Sequence, residues 1–133
     1  MGAGRCGTCH FAPLFGGTVP PVFSDSEVEV LGVPADRLSR AVDADPGRFA
    51  VTRNPLHIHA FRTPSVRHIA DTAPYMHNGV YSTLMEVIDF YDAGGAAGRG
   101  VDMPNQTLPP DSLHLTRVQK RQLEAFLKSL SRK

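Results

Sequence analysis

The chain has 133 residues, with 14 Lys and Arg against 13 Asp and Glu, so it has the length of one domain with a modest core. The near balance of charge gives no electrostatic case for nucleic acid or an acidic membrane surface, and no apolar run reaches the roughly 20 residues of a membrane-spanning helix. The opening MGAG has neither the basic start nor the apolar stretch of an export signal.

In chain order, residues 2–10 read as a short helix carrying RCGTCH. Residues 11–35 are rich in Gly and Pro and read as loop, with one extended piece at Val28–Leu31. Residues 36–42 read as a helical turn, and residues 43–66 as loop, punctuated by Pro46, Gly47, Asn54 and Pro55. Thr63 as N-cap and Pro64 at the first helical position predict a short helix ending near Asp71. Thr83 and Glu86 form a capping box for a helix that Gly94 and Gly95 stop, with Leu84, Val87, Ile88 and Tyr91 on one face. Thr116 and Gln119 cap a last helix running to Lys133, with Leu123, Phe126, Leu127 and Leu130 as its apolar stripe. The expected fold class is all-α, a single domain over 1–133 with few helices and long loops.

The chemistry begins at Cys6, Cys9 and His10, and the chain has no other cysteine. A structural zinc site needs four ligands, and adjacent Cys9 and His10 make an awkward pair for one. A redox Cys-x-x-Cys normally follows a strand, and none is expected here. The remaining reading is covalent haem: the thiols add to the two vinyl groups, and the next residue, His10, ligates the iron from one face. For the other face the pattern leaves Met76, Met85, Met103, the other histidines and Tyr91 open, with Met76 ahead as a loop thioether. Tyr91 lies on the inward face of its helix, where a core tyrosine is the ordinary alternative. Arg48, Arg62 and Arg67 are candidates for haem propionates, with surface pairing as the alternative for each. Tyr75 and Phe61 read as haem-packing core, and His57 and His59 as solvated loop. No pair of carboxylates suggests acid–base catalysis.

CGTCH, DPGRFAVT, FRTPSVRHIADTAPYMHNGVYSTLMEVIDFYDAGG and LEAFLKSL, in that order, resemble the C-terminal haem domain of bacterial dihaem cytochrome c peroxidases. They are most similar to the branch with the enzyme that matures the tryptophan-derived cofactor of methylamine dehydrogenase. The resemblance implies haem c on Cys6 and Cys9 with His10 as proximal ligand. It implies a distal ligand fourteen residues after His77, which is Tyr91, in place of the peroxidases' methionine. A hard phenolate favours ferric iron, so a low potential is expected. The resemblance further implies calcium on the backbone carbonyls of Thr72 and Pro74, and a place for His77 near the haem or a structural hydrogen bond. The partners it implies are an N-terminal haem domain where peroxide reacts, and a redox protein donor or protein substrate, in the periplasm. One C-x-x-C-H stands where the family has two haem domains, so a stand-alone monohaem electron carrier is the alternative function.

Overall fold

A computed structural model describes residues 2–131. Its elements are β1 (Val28–Val30), α1 (Phe49–Thr52), β2 (Ala60–Arg62), α2 (Leu84–Asp92), α3 (Gly95–Gly98) and α4 (Arg117–Ser129), with 3-10 turns at Gly2–Gly4, Cys6–Thr8, Pro55–His57 and Ile69–Asp71. The all-α expectation is corrected here, because β1 and β2 pair antiparallel with Val28 opposite Arg62 and Val30 opposite Ala60. The cause is side-chain alternation. Val30 and Ala60 are each 1% exposed and meet Ala96 and Met103 in one core cluster, so the strands are pinned by burial on one face. The outer edge of β1 is closed by Thr107, whose hydroxyl accepts from the Val30 amide at 2.9 Å and whose amide donates to the Val30 carbonyl at 3.0 Å.

Three local expectations also change. The helix expected from Thr63 to Asp71 is only the turn at Ile69–Asp71. The Thr63 amide donates to Glu27 at 3.3 Å, which prolongs the strand ladder and takes Thr63 away from capping. No helix forms at 36–42, because the Asp36 carboxylate accepts from the Leu38 and Ser39 amides at 2.8 Å and closes an Asx turn. Inside the expected 43–66 loop lie α1 and β2.

The two capping boxes form as read, Thr83 with Glu86 and Thr116 with Gln119. α2 buries Leu84, Ile88 and Phe90, with Val87 and Tyr91 half-buried. Phe90 joins Tyr75, Tyr81 and Leu84 in a second core cluster. Each such side chain contributes about 1.5–3 kcal/mol over its exposed state. Gly94, at φ 82°, ends α2 in the left-handed conformation that suits glycine, and α3 follows at once. Lys120 of α4 ties to Asp89 at 2.7 Å and Asp92 at 2.6 Å, so α2 and α4 are clamped at one end. The last two residues of the expected final helix lie outside the described residues.

Candidate haem site

Cys6 and Cys9 sit at the two ends of one short turn, both half-buried free thiols. Burial raises the Cys6 thiol above its usual range. Cys9 is pushed up to about 11, first by burial and then, against the Thr8 hydroxyl, by Glu29 and Glu27. Both therefore hold their protons at neutral pH.

His10 follows on the same turn. Its Nδ1 lies 3.2 Å from the Phe15 carbonyl, so Nδ1 donates and Nε2 carries the lone pair. Burial lowers its proton affinity, outweighing the Phe15 and Pro64 carbonyls that favour the charged ring, and a neutral imidazole is the ligating form. Arg67 braces this loop: its guanidinium donates to the Pro13 carbonyl at 2.6 Å and lies 5.2 Å from the Phe15 ring centroid.

Tyr91 comes from α2. Its hydroxyl makes no hydrogen bond among the described residues, and burial holds its proton affinity above the ordinary phenol value, with Cys9, Cys6 and Glu29 pushing the same way. The fold thus brings Cys6, Cys9 and Tyr91 into one electrostatic neighbourhood from opposite halves of the sequence.

Met76, with φ 70°, packs half-buried against the Tyr75, Tyr81, Leu84 and Phe90 cluster, as Tyr91 does. His77 stacks on Phe61 with centroids 3.7 Å apart, and its Nε2 meets Asp43 at 3.2 Å. Thr72 and Pro74 are exposed, and their carbonyls accept no hydrogen bond among the described residues. Arg62 donates to Ser26 at 3.2 Å. Two surface hollows, one bounded by Met85 and Arg121 and one by Leu38 and Val80, include none of Cys6, Cys9, His10 and Tyr91.

The structure adds Glu27 and Glu29, which the sequence reading passed over. One carboxylate oxygen of each and Cys9 Sγ all lie within 4.8 Å of one another. The signal was present as the alternation Glu27, Val28, Glu29, Val30, which places both acids on one side of an extended segment.

A haem fits these residues on several counts. The donor set is two thiols, a neutral imidazole and a phenol without a partner. Thr63 Oγ1, two residues before the Ser65 that packs on Gly16, is buried with no hydrogen-bond partner. α4 carries an apolar stripe yet has no buried residue, with Leu123, Phe126, Leu127 and Leu130 all half-buried. That stripe faces the thiol turn: a Cβ on Gly4 would lie 2.9 Å from Leu123 and 3.4 Å from Cys6 Sγ, and Phe126 meets Phe15 edge to face at 6.0 Å. A large flat apolar group is what would complete this side of the core.

No protein-family model matches the chain. It is 47% identical over 92 residues to the cytochrome-c peroxidase IdrP1 of Pseudomonas sp. strain SCT, covering 69% of this chain and 23% of that protein. It is 34% identical over 152 residues to the cytochrome-c peroxidase IdrP2 of Denitromonas iodatirespirans, covering 98% and 37%. It is 33% identical over 96 residues to the methylamine utilization protein MauG of Paracoccus denitrificans, covering 66% and 25%. The crystal structure of a MauG-like protein associated with microbial copper homeostasis superposes with a TM-score of 0.77 at 32% identity, over 98% of this chain and 43% of that one. The chain thus spans less than half the length of each. Two independent likenesses, one of sequence to peroxidases and one of fold to a MauG-like structure, lead to one conclusion: the chain belongs to the dihaem cytochrome c peroxidase family, whose members carry c-type haem.

Proposed function

We propose that this chain is the c-type haem domain of a dihaem, peroxidase-like oxidoreductase and exchanges electrons with a second haem domain where peroxide reacts. What supports the reading is the Cys6–Cys9–His10 turn, with the unpartnered hydroxyl of Tyr91 within electrostatic reach of both thiols. A covalently held haem supplies one-electron exchange at its iron.

The side chains supply the rest. Cys6 and Cys9 would hold the porphyrin through their two sulfurs. His10 offers Nε2 because the Phe15 carbonyl occupies Nδ1. Tyr91 offers its oxygen and must give up its proton to bind as phenolate, so ligation and deprotonation at that atom are linked. A phenolate holds iron in the ferric form more strongly than the thioether of Met76 would. Arg67 keeps further guanidinium N–H donors for a propionate beside the one that the Pro13 carbonyl accepts. The open carbonyls of Thr72 and Pro74 suit calcium, a hard cation that takes oxygen ligands, with further ligands from the partner domain. The partners of the reading are that second haem domain and a redox protein donor or protein substrate, in the periplasm, where proteins of this family are typically found.

The test is to mature the chain with a haem-attachment system and then add hydrogen peroxide. Haem should remain on the polypeptide after acid extraction, and the isolated chain should turn over peroxide negligibly, because both iron faces are held by protein. Rapid peroxide reduction by the chain alone, or haem that washes away, contradicts the reading.

A further inference from the structure

The roles above leave Glu27 and Glu29 unused, although both are half-buried. Val28 and Val30 of β1 pack into the core cluster with Ala60, Ala96 and Met103, so Glu27 and Glu29 project to the other side of the strand. There each brings a carboxylate oxygen within 4.8 Å of Cys9 Sγ. Neither is ion-paired with a Lys or Arg among the described residues. Two half-buried, uncompensated carboxylates are costly, and a fold that needed only packing would place apolar residues there.

We propose that Glu27 and Glu29 form an acidic wall of the haem crevice, and that their negative charge lowers the reduction potential of the haem anchored through Cys9. The proposal rests on the haem reading above. Ferric iron carries one more positive charge than ferrous iron, so a nearby fixed anion favours the ferric state. The sulfur of Cys9 would be bonded directly to the porphyrin edge, which sets the two carboxylates against that edge. In a partly dehydrated crevice such an interaction is weakly screened. It acts in the same direction as phenolate ligation by Tyr91 and does not depend on it.

A redox titration of the haem-loaded full chain at one neutral pH tests this. Glu27→Gln and Glu29→Gln should each shift the ferric–ferrous balance toward ferrous by about threefold to tenfold, a rise of about 28 to 59 mV at 59 mV per tenfold for one electron. The double variant should rise further. Glu29→Asp keeps the charge and should stay near wild type. Should Glu29→Gln fail to load haem, Glu27→Gln and Glu29→Asp decide between them. A double variant at wild-type potential, while Tyr91→Phe still changes the ferric spectrum, overturns the wall and leaves the ligand assignment standing. A raised potential in the double variant with no effect of Tyr91→Phe keeps the wall and removes the ligand. Haem that never becomes covalent ends both.

Discussion

Two regions of this chain are held together in different ways. The region of α2 and α4 joins through the Lys120 clamp and the cluster of Tyr75, Tyr81, Leu84 and Phe90, none more than 9% exposed. The region of the thiol turn, residues 2–15, contains no buried residue, and the side of α4 that faces it is only half-buried. The first region has a protein core of its own. The second has the thiol and imidazole donors beside an apolar stripe that is only half-buried. In a small domain a bound cofactor can take the place of the missing core, so stability and haem loading should be coupled mainly on one side.

The contrast can be broken most sharply by truncating one side chain in each region. Phe90→Ala should cost about 3–5 kcal/mol in denaturant unfolding, with or without haem, because it empties a protein-lined site. Leu123→Ala should cost about 1 kcal/mol without haem and clearly more with it. Equal costs for Leu123→Ala in both states would show that haem does not complete that side.

Next in size is the clamp. Lys120→Met should destabilise by about 1–2 kcal/mol, because Asp92 is only 13% exposed at its side chain and loses its cation. Burial alone would raise the Asp92 carboxyl. The Lys120 ammonium and the Leu115 amide outweigh it and hold the carboxyl below its usual range. The variant should therefore raise the Asp92 titration midpoint, read by NMR, and an unmoved midpoint would show that the clamp is slack in solution.

The smallest effect at neutral pH comes from the tyrosines. Tyr75, Tyr81 and Tyr91 are all raised above 10, burial being the first cause in each case. Below pH 10 both folded and unfolded chains keep these protons, so the contribution to stability is fully present. Above it the unfolded chain ionises first, and stability falls as pH climbs toward the folded values. Ultraviolet titration of the haem-free chain should show little phenolate near pH 10 and then ionisation together with unfolding. Ordinary titration of three phenols in a folded chain would contradict the raised proton affinity of all three.

What the sequence disclosed follows the same division. α2 and α4 were legible because a capping box and an apolar stripe are local signals, complete within a few turns. β1 and β2 were not, because each is three residues long and finds its partner only across some thirty residues of Gly- and Pro-rich chain. Thr63 misled for a related reason: its residue type favours a cap, but its amide is claimed by Glu27 from a distant segment. At the site, Cys6, Cys9 and His10 declared themselves by spacing alone, whereas Tyr91 needed family likeness beside its helical face. Glu27 and Glu29 carried a strand signal too short to stand out before the partner strand was seen.

The central proposal is that His10 and Tyr91 would both ligate the iron of a bound haem. The most direct measurement is the optical and spin-resonance spectrum of the ferric, haem-loaded chain beside Tyr91→Met. The account predicts a changed ferric spectrum and a higher midpoint potential in the variant, as a thioether or water replaces phenolate. Identical spectra and potentials would contradict it and give the second axial place to another group.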